Sequence, residues 1–276
     1  MLEVKNLTCG YDTKFLLRKV NFNVEDGGLI GIIGPNGSGK TTLLRAITRV
    51  LKPKRGEILL RGKNIWNMGF AELAKRIAVV SQSSDANFMS VKEFVLLGRI
   101  PHYKKFQFIE TRKDEEIAKR YMSLTGTLKF ENQPVDEISG GEKQLAVIAR
   151  ALTQEPKLLL LDEPTAHLDI THQVAILDLI RKLNRQFGLT VIMVLHDLNL
   201  AGEYCDRLIL LNNGEIYKTG KPEEVLTYQI VEEVYKTVVV VEKNPISHKP
   251  YILFVSKEEK GGNSLCNTSS KKKEIL

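Results

Sequence analysis

Between an apolar run at residues 29–33 and a helix-forming stretch lies Gly34-Pro35-Asn36-Gly37-Ser38-Gly39-Lys40-Thr41-Thr42. Closely spaced glycines let the backbone fold tightly with its N–H groups turned inward, and the helix that follows aims the positive end of its dipole at the same point. A strand that leads through such a loop into a helix belongs in a sheet whose strands are buried and open at their carboxyl ends. The chemistry that fits is polyphosphate binding. Loop amides wrap the phosphates, Lys40 reaches the terminal ones, and the Thr41 hydroxyl suits Mg²⁺.

The rest of the chain supplies such a sheet. Apolar runs at residues 158–161 and 191–195 alternate with helical patterns at about 142–152 and 171–187. Buried runs alternating with helices imply an α/β fold, a parallel sheet covered on both faces. Residues 2–81 are strand-rich, with short runs such as 77–80 between glycine-bearing turns and one helix from Lys40 to about Leu51. From residue 91 to 130 apolar side chains recur at spacings of three and four, at Phe94, Val95 and Leu97, then Ile117, Tyr121 and Leu124. That pattern predicts an inserted helical subdomain. Residues 207–211 and 215–218 form a predicted hairpin, because Asn213-Gly214 supplies the positive φ angles of a tight primed turn, and its role is read as structural. Two more strands, 238–241 and 251–255, predict a small C-terminal extension. A polar, lysine-rich tail from about Lys257 is expected to be disordered.

With 276 residues, 43% of them hydrophobic, the chain can fill one large core or a core with an insertion. Its apolar runs fall far short of the roughly 18 residues a membrane-spanning helix needs. The alternating Leu2-Glu3-Val4-Lys5 opening lacks the zones of a secretory signal, so the protein is expected to stay where it is made. Three cysteines, Cys9, Cys205 and Cys266, show no metal-ligand spacing and fit a reducing compartment. The net charge of +7 comes partly from Lys271, Lys272 and Lys273 and partly from residues 99–120, where Glu110, Asp114, Glu115 and Glu116 offset it. No nucleic-acid recognition motif accompanies it, so solvated surface is the reading adopted; docking beside a membrane stays compatible.

A phosphate loop alone does not separate kinases, GTPases and ATPases. The run 158–161 ends in Asp162-Glu163-Pro164. Carboxylates at the carboxyl end of a buried parallel strand open onto the ligand crevice, where Asp162 can hold Mg²⁺ and Glu163 can polarise a water for attack on the γ-phosphate. Upstream, Ser139 and Glu142 in Ile138-Ser139-Gly140-Gly141-Glu142 have the spacing of a helix capping box. The adjacent glycines also suggest close backbone approach to something, with a phosphate the obvious candidate.

Together these motifs resemble the ATP-binding-cassette family over nearly all of residues 2–241. The resemblance implies a P-loop NTPase core with a mixed sheet flanked by helices, an antiparallel β subdomain and an inserted α-helical subdomain at about residues 85–150. Residues 1–241 would form the ATPase domain, 242–256 a β extension and 257–276 a basic tail. In that family the Ser-Gly-Gly segment of one subunit completes the ATP site of another. Ser139, Gly140 and Gly141 would thus contact the γ-phosphate bound to a partner chain, in a head-to-tail homodimer with ATP and Mg²⁺ between the subunits. By the same likeness Tyr11 stacks on adenine, Gln82 joins Mg²⁺ and the attacking water to the helical subdomain, and His196 contacts the γ-phosphate. Asp169 lies in the dimer-contact loop at the nucleotide. Ala166-His167-Leu168-Asp169 departs from the commoner Ser-Ala-Leu-Asp, and Ile138 replaces a leucine, which puts the fine contacts across the dimer in doubt.

Cassette ATPases serve transport and also soluble work in DNA repair and translation. Soluble members usually carry two cassettes or a long coiled coil, whereas this chain has one cassette and no sustained heptads. The expectation is a peripheral subunit on the cytoplasmic face of the cell membrane, driving a separate permease dimer served by an extracytoplasmic binding protein, with no nucleic acid involved. The stretch Val91-Lys92-Glu93-Phe94-Val95-Leu96-Leu97-Gly98-Arg99-Ile100-Pro101-His102, with His196-Asp197-Leu198-Asn199-Leu200-Ala201, resembles importers of ferric siderophores, haem and cobalamin. Zinc, manganese or molybdate import remains an alternative.

Overall fold

The computed structural model describes residues 1–11, 14–81 and 88–256; the expected tail at 257–276 lies outside them. Two antiparallel strands, β1 (Leu2–Tyr11) and β2 (Lys14–Val24), precede the buried β3 (Leu29–Ile33) and α1 (Lys40–Ile47). α1 is shorter than the pattern predicted. The Thr48 hydroxyl bonds back to the Leu44 carbonyl, and Arg49 turns into left-handed backbone at φ 62°, which ends the helix. β4 (Arg55–Leu60) and β5 (Lys63–Asn64) complete a four-stranded antiparallel sheet in the order β2-β1-β4-β5. The short α2 (Phe70–Ala74) then leads into β6 (Ile77–Val80).

The helical stretch holds α3 (Val91–Leu96), α4 (Arg112–Thr125) and α5 (Gly140–Thr153). Each opens on a reciprocal capping box, Ser90 with Glu93, Thr111 with Asp114 and Ser139 with Glu142, which satisfies amide donors that a helix start would leave unpaired. The predicted period breaks after α3 into a 3-10 turn containing Pro101, which leaves Leu97 37% exposed. Buried Arg99 ties this turn to α4 and to the end of α5. Its guanidinium donates to Asp114 at 2.9 Å, to Glu155 at 2.8 Å and to the Thr153 carbonyl at 2.9 Å.

Next come β7 (Leu158–Asp162), α6 (Ile170–Phe187), β8 (Thr190–Val194), α7 (Leu198–Tyr204) and β9 (Arg207–Asn212). β10 (Glu215–Gly220) returns antiparallel to β9, so the six-stranded sheet, ordered β10-β9-β3-β8-β7-β6, is mixed at one edge and parallel elsewhere. Strand alternation divides the core. Ile30, Ile32, Leu158, Leu160, Ile192 and Val194 pack towards α1 and the antiparallel sheet. Leu29, Leu159, Leu161, Val191 and Met193 pack towards the helices on the other face. After α8 (Pro222–Val225) and α9 (Tyr228–Tyr235), β11 (Val239–Lys243) and β12 (Pro250–Phe254) pair as the expected C-terminal hairpin. The Asn199 amide fastens it to α7, donating to the Ile252 carbonyl and accepting from the Ile252 N–H.

Candidate functional site

β3 delivers the chain into the glycine loop at the carboxyl edge of the parallel sheet. Gly34 sits at φ 147°, and a Cβ there would lie 2.1 Å from the Leu211 carbonyl oxygen on β9, so only glycine lets the loop start this close to the sheet. Gly39, at φ 104°, occupies the N-cap of α1 without a side chain to bond the helix amides, and the first turn carries no acid. Those donors are therefore left for an external anion.

Asn36, Gly37, Gly39, Lys40, Thr41, Thr42, Glu163 and His196 line one cleft of about 200 Å³. Gly34, Pro35 and Ser38 of the same loop are not among the lining residues; Gly34 and Ser38 are buried. The Lys40 ammonium crosses the loop, donating to the Gly34 carbonyl at 2.8 Å and the Pro35 carbonyl at 3.1 Å. Burial lowers its pKa, against the pull of the Glu163 and Asp162 carboxylates. β7 and β8 are parallel neighbours with Asp162 opposite Val194, which sets Glu163 and His196 side by side at the ends of their strands. Burial, and then the charge of Glu163, raise the pKa of Asp162, while a hydrogen bond from the Thr41 hydroxyl works the other way. Oδ1 of Asp162 is buried without a hydrogen-bond partner among the described residues.

Glu163 holds left-handed backbone at φ 55°, an uncommon conformation for a non-glycine residue and one that clusters at functional sites. Its Oε1 is 2.5 Å from His196 Nε2; a carboxylate only accepts, so Nε2 carries the hydrogen. The site thus contains a fixed cation, a carboxylate with a free buried oxygen, and a second carboxylate oriented by an imidazole.

The other predicted residues that the structure describes do not line this cleft. Tyr11 ends β1, 41% exposed, with its hydroxyl accepting from Arg45 on α1 at 2.6 Å. Gln82 lies outside the described residues. Ser139, Gly140 and Gly141 are not among the residues lining the cleft; Ser139 caps α5 in the expected capping box, and the two glycines form its first helical positions. Asp169 caps α6, accepting from the His172 N–H at 2.9 Å and from His172 Nδ1 at 2.7 Å. A wider basin of about 910 Å³ on the antiparallel sheet, lined by residues such as Arg18, Lys19 and Arg55, contains none of the predicted site residues.

Three neighbours of the site escaped sequence reasoning. Arg45 orients Tyr11. The Tyr235 hydroxyl, its pKa pushed up by burial, accepts from the Gly34 amide. The Asn213-Gly214 turn does more than join two strands: Gly214 N–H donates to the Ser38 carbonyl at 3.1 Å, and its own carbonyl accepts from Arg18 N–H at 2.8 Å. The turn therefore holds the phosphate loop against β2.

Comparison with known proteins gives a consistent picture. The sequence model of the ABC transporter family matches residues 17–166. The chain is 39% identical over 263 residues to the petrobactin import ATP-binding protein FpuC of Bacillus anthracis, covering 95% of this chain and 96% of that one. It is 38% identical over 253 residues to the ferric enterobactin transport ATP-binding protein FepC of Escherichia coli K12, covering 91% and 93%. Among solved structures, a metal-chelate type ABC transporter in an inward-facing conformation superposes with a TM-score of 0.82 at 27% identity, covering 94% of this chain and 98% of that chain. A dimeric ATP-binding cassette bound to ADP and Pi superposes with a TM-score of 0.71 at 31% identity, covering 80% and 99%.

Proposed function

Because this chain belongs to the ABC transporter family, we propose that it is the ATP-hydrolysing subunit of a metal-chelate importer, acting as a head-to-tail dimer on a separate membrane permease. The observation that carries this proposal is the convergence of Lys40, Thr41, Glu163 and His196 on one cleft, with Asp162 hydrogen-bonded to Thr41 and in Coulomb contact with Lys40 and Glu163. Relatives that are ATP-binding proteins of petrobactin import and of ferric enterobactin transport favour a ferric siderophore as cargo.

The loop amides and α1 bind the triphosphate of ATP, and Lys40 turns from its own loop carbonyls to the terminal phosphates. Tyr11, steadied by Arg45, offers its ring to adenine. The donor set fits Mg²⁺: the partnerless Oδ1 of Asp162 and the Thr41 hydroxyl are hard oxygen ligands, with Gln82 a proposed third. A hard cation that keeps waters and shares phosphate oxygens needs no more protein ligands than these. When bound it would neutralise charge on the phosphates. Glu163 accepts a proton from the attacking water, and His196 holds that carboxylate in place.

Ser139, Gly140 and Gly141 lie off the cleft because they are proposed to serve the partner's ATP, completing two sites across a two-fold interface. The dimeric cassette with ADP and Pi supports that arrangement. Asp169 belongs to the same interface. Hydrolysis then opens the pair, and the permease reads the motion. Among the described residues no helix is long and apolar enough to cross a membrane, in keeping with a peripheral subunit. The proposed unit is residues 1–241, with 242–256 as an appended hairpin.

The test is to purify the chain with its permease in lipid nanodiscs and measure ATPase activity as binding protein loaded with ferric siderophore is added. Stimulation by the loaded binding protein, and not by the empty one, is expected. An ATPase that recovers no membrane subunit would point instead to the soluble class.

A further inference from the structure

Asp169 and Gly141 lie on different segments, yet one side chain touches both. A Cβ added at Gly141 would lie 2.1 Å from Cδ2 of His172, 2.5 Å from Cγ and 2.6 Å from Nε2, so the imidazole rests directly on the α-carbon of Gly141. The opposite edge of the ring bonds Asp169 Oδ2 through Nδ1 at 2.7 Å, and Nδ1 carries the hydrogen because a carboxylate only accepts. The same contact accounts for the second glycine of Ser139-Gly140-Gly141. Any side chain at residue 141 would occupy the space the ring fills.

Capping α6 does not require this ring. Asp169 Oδ1 already accepts from the His172 backbone N–H at 2.9 Å, a bond that any residue at 172 would supply. The side chain adds a fixed distance between two short segments. On one side, Gln173 donates to the Leu168 carbonyl at 2.8 Å and anchors the loop before α6. On the other, Ser139 and Glu142 lock the start of α5 through three hydrogen bonds of 2.7–3.3 Å. Each segment is internally braced, and His172 makes the tightest contact that sets one against the other, with Leu168 Cδ2 lying 4.0 Å from a Cβ added at Gly140.

We propose that His172 is a positioning residue for the ATP site of the partner chain: its ring, held by Asp169, sets where residues 139–141 stand when they meet the other subunit's γ-phosphate. This rests on the shared-site arrangement proposed above. A displacement of about 1 Å in residues that meet the reacting group costs on the order of 10²-fold in rate. His172→Ala keeps the backbone cap and removes the ring. It should leave ATP affinity of the dilute monomer unchanged and lower turnover of the dimer by about 10- to 100-fold.

The decisive readout is complementation in mixed dimers, which loss of stability alone would not produce. Paired with Lys40→Ala, the His172→Ala chain has its intact phosphate loop facing an intact Ser139 segment, so activity should return. Paired with Ser139→Ala, both defects fall on the same half-site type, so activity should stay low. The opposite pattern, equal behaviour of both mixtures, or wild-type turnover by His172→Ala would overturn the proposal. Should the alanine variant not fold, His172→Gln enters the same two mixtures with the same expectations. Mixing Lys40→Ala with Ser139→Ala is the control. If that pair does not complement, the shared-site arrangement itself fails, whatever His172 does.

Discussion

Replacing Glu163 by glutamine removes one negative charge from the cleft while preserving the shape of the side chain. The amide oxygen can still accept from His196 Nε2, now at 2.5 Å from Oε1, so the local geometry should persist. Two neighbours feel the loss. The Glu163 charge helps raise the pKa of Asp162, and it supports the charged form of Lys40 against burial. Removing it eases ionisation of Asp162 and leaves Lys40 with one carboxylate neighbour instead of two, so nucleotide binding should change little. The proton acceptor is what disappears. Loss of a positioned general base costs about 10²- to 10⁴-fold, or about 3–5 kcal/mol of transition-state stabilisation. Single-turnover hydrolysis of radiolabelled ATP, with nucleotide affinity measured alongside, separates the two effects. Slow hydrolysis at unchanged affinity, with a stable ATP-bound dimer on size-exclusion chromatography, is expected. Turnover within a few-fold of wild type would remove Glu163 from the base role.

Asp162→Asn should raise the thermal midpoint of the nucleotide-free protein while abolishing Mg²⁺-dependent hydrolysis. The sign follows from the raised pKa: the folded state holds this proton more tightly, so ionisation destabilises the fold as pH climbs from the ordinary carboxylate value through the raised one. The gain over wild type should therefore grow across that window and vanish below it in calorimetry. Gly34→Ala places a methyl 2.1 Å from the Leu211 carbonyl and should cost about 1–3 kcal/mol or more in urea unfolding. Arg99→Ala strands the buried Asp114; burial alone would raise that carboxyl, but bonds from Thr111 and Arg99 hold it at about 2. A destabilisation of about 3–5 kcal/mol is expected on removing one member of a buried pair, read from the same denaturation curves.

Much of the site was legible in the sequence because its parts are local. The glycine loop, the apolar run ending in Asp162-Glu163 and the run preceding His196 each carry their signal within a few residues, and parallel pairing of β7 with β8 then brings the ends together. What escaped depends on contacts between distant segments. Gly214 and Tyr235 touch the phosphate loop because β9 lies beside β3 and the last residue of α9 reaches the Gly34 amide, and neither contact is announced by a local pattern. Arg45 reaches Tyr11 from a different layer. The capping box and the close approach at Gly140-Gly141 are legible locally, but that the group resting on Gly141 is the His172 ring of a distant helix is not. Helix period also overreached at α1, where Arg49 turns into left-handed backbone that propensity does not foresee.

The shared site is tested most directly by mixing two inactive chains. Lys40→Ala lacks the phosphate-loop half of the site and Ser139→Ala lacks the half offered to the partner, so each homodimer should be silent. With free exchange half the dimers are mixed and each regains one site, so about a quarter of wild-type ATP turnover should return if the sites act independently. A mixture as silent as its components, with heterodimers shown to form, would contradict an ATP site built from two copies of this chain.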